Sequence, residues 1–201
     1  MEALLPVLFA AMVGVGHAFE ADHLIAVSNI VSRRDSLLLA ARDGVYWGLG
    51  HTTTIVLLGS IIILTNLTFA GSGYFEAFVG IMLILMGISR LTNKNNFART
   101  PVVRYQKSFA YTVGLVHGLA GSGILVGSVM SRISNPFLGI SYLLVFGIGS
   151  IAGMFLAASL LGIPFTRRMK ISRNLRAGVV ILSSLICIGY GSWMVYEHLL
   201  L

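Results

Sequence analysis

The sequence predicts an all-α, polytopic membrane protein with six transmembrane helices. Of its 201 residues, 56% are hydrophobic and only 10% carry a formal charge, whereas soluble domains average roughly 25% charged residues. The mean hydropathy of +0.88 is correspondingly high. Long uncharged stretches alternate with short basic segments, and about 20 apolar residues suffice for a helix to cross a bilayer. These observations exclude a soluble globular domain.

The predicted spans follow the uncharged stretches along the chain. The second and fourth spans contain one histidine each, His51 and His117, and no formally charged residue. The first span differs from these two, because it contains Glu20 and Asp22. The predicted spans are 4–30, 44–65, 72–91, 108–131, 137–163 and 175–197. We treat 1–201 as one transmembrane domain with half-repeats of about 1–92 and 108–201, joined by the basic segment 93–107.

The basic residues predict how the spans are oriented. Of the 14 Lys and Arg residues, 13 lie in the first, third and fifth connections between the spans. Only Arg132 falls on the opposite side. The positive-inside rule places those connections in the cytoplasm and both termini outside it, in an inner (plasma) membrane. Anionic lipid head groups account for the net charge of +7, so we expect the lipid bilayer as a partner and no nucleic acid. The thirteen are Arg33, Arg34, Arg42, Arg90, Lys94, Arg99, Arg104, Lys107, Arg167, Arg168, Lys170, Arg173 and Arg176.

Four ionisable side chains lie close together inside the first predicted span. They are His17, Glu20, Asp22 and His23, all within seven residues. An ionisable side chain in hydrocarbon costs several kcal/mol, so such a cluster indicates a functional site. Imidazole and carboxylate groups together are ligands for a divalent transition metal. The only cysteine, Cys187, lies alone in the sixth span, so the chain has no intrachain disulfide or cysteine-based metal site.

The spacing of this cluster does not fit one straight helix. At about 100° and 1.5 Å per residue, Asp22 lies about 140° around the helix from His17. His23 lies about 120° in the other direction and about 9 Å along the axis. Either the helix unwinds, with Gly14 and Gly16 as the candidate positions, or the side chains serve successive positions along a path. Broken helices near the bilayer midplane form the sites of many transporters.

Two motifs resemble those of the nickel/cobalt transporter family. The segment His17–His23, HAFEADH, resembles the family signature H-A-x-x-A-D-H, with Glu20 where the family usually has Asp. Leu49–Thr52, LGHT, matches a second motif of that family, L-G-H-S/T. The segment Leu115–Gly123 resembles shorter relatives associated with urease maturation. The family commonly has Asp-Asn where this chain has Ser28-Asn29.

The resemblance implies a secondary transporter, a permease that imports divalent transition-metal ions into the cytoplasm, nickel first and cobalt second. Nickel(II) or cobalt(II) is then the transported substrate, and we expect no prosthetic group and no catalytic residue. Further partners to consider are nickel-enzyme maturation proteins and other copies of the chain. The predicted metal ligands are His17, Asp22, His23 and His51. Glu20, His117 and Thr52 are considered either as ligands or as residues that orient them, and Glu76 as a residue at the entrance.

The depths of the other histidines support a shared site. His51 and His117 lie eight and ten residues beyond Asp43 and Lys107, respectively, and His23 lies ten residues before Arg33. At about 1.5 Å per residue these are similar distances from the cytoplasmic face. For His117, a hydrogen bond in helix packing is an equal alternative. The threonines after His51 either orient a ligand or bond back to helix carbonyls.

A weak internal repeat relates the two halves. His17-Ala18 corresponds to His117-Gly118 with a shift of 100 residues, and Trp47–His51 corresponds to Phe146–Ser150 with a shift of 99. With three spans in each half, the halves would be inverted in the membrane, as in many transporters. Coincidence among glycine-rich apolar helices is the alternative.

Two other functions compete with import. The first is a metal exporter of the same architecture, although the long histidine-rich loop expected of some efflux proteins is absent from the sequence. The second is a membrane metalloenzyme such as a di-iron hydroxylase. Chains of that kind carry more histidines, arranged in H-x-x-H clusters, whereas this chain has 5 histidines in total.

Overall fold

The chain is all-helical throughout the part that the structure describes. The computed structural model describes residues 4–32, 34–65, 73–92, 105–130, 133, 135–166 and 172–200. They form seven α-helices and a short 3₁₀ turn, Ile163–Phe165, with no strand among them. The helices are α1 (Leu4–His17), α2 (Ala21–Val31), α3 (Leu37–Thr65), α4 (Tyr74–Thr92), α5 (Gln106–Met130), α6 (Pro136–Gly162) and α7 (Arg173–Leu200). The all-α prediction is confirmed.

Four of these helices are long and apolar enough to cross a membrane. They are α3, α4, α7 over Asn174–Leu199, and α6 together with the turn, Pro136–Phe165. Many large apolar side chains on them face outward; Leu57, Leu85 and Leu182 are each about 60% exposed, as lipid-facing residues are. The chain is therefore a multi-pass membrane protein. Six spans, the internal repeat and the membrane orientation stay predictions. Of the basic segment 93–107, only 105–107 lie within the described residues.

The first predicted span, 4–30, consists of two short helices. Helix α1 ends at His17 and α2 begins at Ala21. Between them Phe19 N donates to Gly16 O at 2.9 Å, and Glu20 has an extended backbone, with φ −64° and ψ 155°. Gly14 and Gly16, the candidate positions for unwinding, are instead both inside α1. The chain thus turns just after His17, which changes the direction of the segment that carries Asp22 and His23.

Close helix crossings at glycines determine where the other helices lie. Helix α3 packs against both α5 and α6, α1 packs against α6, and α4 packs against α7. A Cβ at Gly50 of α3 would meet the Tyr111 carbonyl oxygen, and one at Gly114 of α5 would meet the Trp47 carbonyl oxygen. Small residues allow such close backbone approach in membrane proteins. This crossing brings α3 and α5 close together beside His51.

Side chains from three helices hold the C-terminal end of α2. The Ser32 carbonyl accepts from Arg90 Nη2 at 3.3 Å and from Arg176 Nη2 at 3.1 Å. The Ile30 carbonyl accepts from Gln106 Nε2 at 3.5 Å. The last carbonyls of a helix lack partners within it and carry partial negative charge, so cationic donors stabilise this end. The end of α4 and the starts of α5 and α7 therefore meet at the end of α2, which fixes that helix.

The crossing of α1 and α6 gives a prediction with a matched control. A Cβ at Gly14 would meet the Phe146 carbonyl oxygen, whereas a Cβ at Gly16, one half-turn further on, has nothing within 4 Å. We expect Gly14→Ala to lower the free energy of unfolding by about 1–3 kcal/mol, because α1 and α6 must move apart. Gly16→Ala should leave it unchanged or raise it by up to about 1 kcal/mol. Thermal unfolding in detergent measures both, and equal melting of the two variants would contradict this crossing.

Candidate metal centre

Four histidines from four different helices form one cluster. His17 ends α1, His23 lies in the first turn of α2, His51 lies in α3 and His117 in α5. The ring centroids of His17 and His23 are 4.5 Å apart, and the His23 centroid is 5.1 Å from those of both His51 and His117. His23, His51 and His117 are at most 2% exposed. The structure thus brings together the four histidines that the sequence singled out.

The break between α1 and α2 allows the first two histidines to meet. On an unbroken helix His17 and His23 would lie about 9 Å apart along the axis and on different faces. Because the chain turns after His17, their rings are in edge contact instead. His51 approaches from the α3–α5 crossing, and its ring lies 5.2 Å from that of His17. Gly118, the neighbour of His117, leaves room for the His51 carbonyl, which a Cβ there would meet.

Most ring nitrogens of the cluster lack a hydrogen-bond partner. The Nε2 atoms of His17, His23, His51 and His117 are buried without one among the described residues, and so is Nδ1 of His51. More than about 90% of buried polar groups in proteins are hydrogen-bonded, and an unpaired one costs about 1–3 kcal/mol. Five unpaired nitrogens at one place are therefore expensive unless a shared partner binds them. A divalent metal ion is such a partner.

Three of these histidines are held through their other nitrogen. Nδ1 of His17 is 2.8 Å from Glu20 Oε1, and Nδ1 of His23 is 2.9 Å from Asp22 Oδ1. Nδ1 of His117 is 3.2 Å from the Val113 carbonyl. An ionised carboxylate or a carbonyl only accepts hydrogen bonds, so each Nδ1 carries the hydrogen and donates it. The lone pair is then left on Nε2, the arrangement in which a neutral histidine binds metal.

The potential ligand atoms form two groups that share one residue. Atoms of His17, His23 and His51 lie within 4.8 Å of one another, and so do atoms of Glu20, Asp22 and His23. In the first group His23 and His51 are buried and the His17 side chain is 12% exposed, and all three offer nitrogen donors. Such donors favour metals such as nickel, cobalt and zinc over magnesium and calcium, which prefer oxygen. The arrangement is suited to selecting a transition metal within the membrane.

Two aromatic side chains enclose the cluster. Trp47 is fully buried, with its ring 5.4 Å from that of His23 and 5.7 Å from that of His117. Phe146 is also fully buried and lies 5.4 Å from the His17 ring. This role was not evident from the sequence, in which both residues served only to align the two halves of a repeat. A usable signal was that Trp47 precedes His51 by four residues, which places both on one face of α3.

The remaining candidates have other surroundings. Thr52 donates to the Gly147 carbonyl at 3.0 Å and so links α3 to α6. Thr53 donates to the Leu49 carbonyl of its own helix, as threonines in helices often do, and Thr54 donates to the Leu115 carbonyl of α5. Glu76 lies in the first turn of α4 and belongs to neither group of ligand atoms among the described residues. Cys187 is buried against α2, with Sγ 3.7 Å from the Ile25 carbonyl.

Known proteins of similar sequence place the chain in a family. It is 38% identical over 172 residues to the urease accessory protein UreH of Bacillus sp. (strain TB-90). The aligned segment covers 77% of this chain and 75% of that protein. It is 26% identical over 154 residues to the hydrogenase nickel incorporation protein HupN of Bradyrhizobium diazoefficiens, covering 71% of this chain but only 40% of that protein. No family model and no solved structure matches the chain. The resemblance to relatives associated with urease maturation is confirmed. The chain belongs to the family of the urease accessory protein UreH.

Proposed function

We propose that the protein is a permease that carries a divalent transition-metal ion, nickel first and cobalt second, across the membrane into the cytoplasm. The observation that carries this proposal is the buried group of His17, His23 and His51, whose Nε2 atoms have no partner among the described residues. Inside a bundle of apolar membrane helices such a group is costly, and groups of this kind mark ion pathways. The names of UreH and HupN refer to urease and to nickel incorporation, which supports nickel as the substrate.

In this proposal the three imidazoles replace water around the ion. They select it by nitrogen coordination, which disfavours magnesium and calcium. Asp22 balances the charge of the ion, either as a ligand or through its bond to Nδ1 of His23. The His117 ring lies 5.1 Å from that of His23 and offers a further nitrogen donor to the ion. Cytoplasmic nickel-enzyme maturation proteins are the proposed recipients of the metal.

We further propose six spans in two inverted halves, with α1 and α2 together forming the first span. The support comes from the glycine crossings. Gly14 of α1 lies against the Phe146 carbonyl of α6, and Gly114 of α5 lies against the Trp47 carbonyl of α3. The two glycines are 100 residues apart and the two aromatic residues 99, the shifts that relate the halves of the sequence.

A second pair of backbone contacts, at the same two crossings, follows the same rule. Gly149 of α6 lies against the Ala11 carbonyl of α1, and Gly50 of α3 lies against the Tyr111 carbonyl of α5. The glycines again differ by 99 residues and their partners by 100. Two packed backbone contacts that recur with the same shifts are hard to explain by glycine-rich composition alone. Related halves of this kind allow alternating access around a fixed central site.

Two exposed tyrosines test the proposed orientation. Tyr74 at the start of α4 is 72% exposed, and Tyr105 just before α5 is 70% exposed. The positive-inside rule places Tyr74 outside and Tyr105 in the cytoplasm. In a Cys187→Ala background, an impermeant thiol reagent should label Tyr74→Cys in intact cells and Tyr105→Cys only after permeabilisation. The reverse pattern would overturn the orientation.

Metal accumulation tests the proposed function itself. Cells that express the protein should accumulate radioactive nickel faster than cells with an empty vector, and purified protein in liposomes should transport nickel and cobalt but not magnesium or calcium. Lower accumulation in the expressing cells would favour an exporter of the same architecture. No metal movement in either assay would refute the permease.

A further inference from the structure

We infer that Glu20, Asp22 and His23 form a second metal position, an oxygen-rich capture site that takes a partly hydrated divalent cation and passes it to the buried histidines. This inference rests on the proposed function, because it describes how the ion reaches the buried group. It adds a site of different chemistry beside that group. The two positions are joined by His23, which belongs to both.

The three side chains form a gradient of exposure. The Glu20 side chain is 58% exposed, that of Asp22 18% and that of His23 2%. Their potential ligand atoms nevertheless lie within 4.8 Å of one another. An ion that arrives from outside the helix bundle can therefore meet Glu20 first. Asp22 and His23 then lie on the inward side of the same position.

The two nitrogens of His23 belong to different surroundings. Nδ1 is 2.9 Å from Asp22 Oδ1, whereas Nε2 is buried without a partner among the described residues. The ring lies 4.5 Å from that of His17 and 5.1 Å from that of His51. The imidazole of His23 thus faces the carboxylates with Nδ1, and its Nε2 is available to the histidine group. Since both positions need this ring, we expect one ion to occupy them in turn.

Transfer between the positions needs no net gain or loss of protons. In the capture site the ion binds Nδ1 of His23, and the single imidazole hydrogen resides on Nε2. In the buried site the ion binds Nε2, and the hydrogen returns to Nδ1, which donates it to Asp22. Water that the ion loses is the carrier of this hydrogen between the two nitrogens. The ring remains neutral throughout, as a metal-binding histidine must be.

The two positions differ in what they select. Carboxylate oxygens bind hard cations such as magnesium, calcium and manganese as well as transition metals, whereas nitrogen donors favour the latter. The capture site then binds many divalent cations weakly, and the buried histidines select transition metals among them. A purely positioning role for the carboxylates is the alternative, since metal-binding histidines commonly donate to a carboxylate. The 58% exposure of Glu20 leaves its carboxylate accessible to an arriving ion, which a purely positioning role does not require.

Removing a histidine that belongs only to the buried group tests the inference. His51 is such a residue, and His51→Ala leaves Glu20, Asp22 and His23 in place. Purified full-length protein in detergent is titrated with cobalt(II) by calorimetry, while the visible absorption reports its coordination. The parent should bind one ion with the strong absorption of a nitrogen-rich site. His51→Ala should still bind one ion, about 10–100-fold more weakly, with weak absorption and with displacement by millimolar magnesium.

A second change identifies where that ion lies. In His51→Ala/Glu20→Gln the remaining binding should fall by at least a further ~10-fold, because a capture-site carboxylate is lost. Glu20→Gln alone keeps an oxygen that accepts from Nδ1 of His17, so the buried site should keep its strong absorption. Transport by the Glu20→Gln variant at low nickel concentration should nevertheless slow by about 10-fold, since the capture site no longer holds the ion. His198→Ala is the control, because His198 is an exposed residue of α7 whose Nδ1 donates to the Met194 carbonyl of the same helix.

Three results would overturn the capture site. The first is no cobalt binding by His51→Ala, or by His51→Gln if the alanine variant melts early. The second is equal binding by His51→Ala and the double variant. The third is loss of the strong absorption in Glu20→Gln, which would make Glu20 part of a single site. If the parent itself neither binds nor transports metal, the permease proposal has failed; if it does both and His51→Ala binds nothing, only the capture site has failed.

Discussion

Nickel binding and transport should disappear when His23 is replaced by alanine, while the protein still inserts into the membrane and folds. His23 is the residue shared by both groups of potential ligand atoms, and its ring lies within 5.1 Å of the rings of His17, His51 and His117. Its removal takes a ligand from the site and leaves Asp22 without its partner. Because loss of a supporting residue alone costs about 10–100-fold in metal affinity, we expect a loss above ~100-fold for His23→Ala.

Two further substitutions separate the effect of losing a metal ligand from the effect of losing the charge that balances the ion. His17→Ala should abolish transport and the strong nitrogen-rich binding, and it should leave only the weaker binding of the capture site, because His17 belongs to the histidine group alone. Asp22→Asn keeps the size and the acceptor oxygen but removes the negative charge that balances the ion, so transport should be lost and affinity should fall by about 10–100-fold. Calorimetry and nickel-dependent thermal shift measure these effects, with His198→Ala as the unaffected control. Parent-like nickel binding by both Asp22→Asn and His23→Ala would show that the cluster is structural.

The helical class and the histidine cluster were within reach of the sequence. Uncharged stretches of span length have few alternatives to a membrane helix, because every backbone polar group in lipid must be paired within the protein. Because a straight helix cannot bring His17 and His23 together, the sequence predicted either a break in the first span or ligands at successive positions along a path, and the structure has the break. Counting residues from the charged ends placed His23, His51 and His117 at similar depth, and their rings are in fact 5.1 Å apart around His23.

Features that depend on packing between distant segments were not predictable. The break follows His17 instead of lying at Gly14, because Gly14 is needed where α1 crosses α6 against the Phe146 carbonyl. Trp47 and Phe146 enclose the histidines only because α3 and α6 approach from particular directions. A single sequence contains no record of those directions. The bonds of Thr52 and Thr54 to carbonyls of neighbouring helices have the same origin.

The sequence also gave no sign that Asp43 is an internal charge. It served only to mark the start of the second span, yet it is 0% exposed in the structure. Its two carboxylate oxygens accept from Nε and Nη2 of Arg34 at 2.5 and 2.7 Å, and Arg34 is itself only 4% exposed. This two-bond ion pair joins the segment after α2 to the first turns of α3. It therefore fixes the end of the helix that carries His23.

Asp43→Ala should accordingly lower the free energy of unfolding by about 3–5 kcal/mol, because it leaves the Arg34 guanidinium buried without its carboxylate. Thermal or denaturant unfolding in detergent measures this loss. The double variant Arg34→Met/Asp43→Leu is the control: it removes both charges and keeps the volume, so it should recover most of the stability. Recovery would show that the cost of Asp43→Ala comes from the unpaired charge and not from lost volume. If Asp43→Ala instead melts like the parent, water reaches Arg34 and the pair does not hold α2; if the double variant is as unstable as the single one, the pair itself is required at the end of α2.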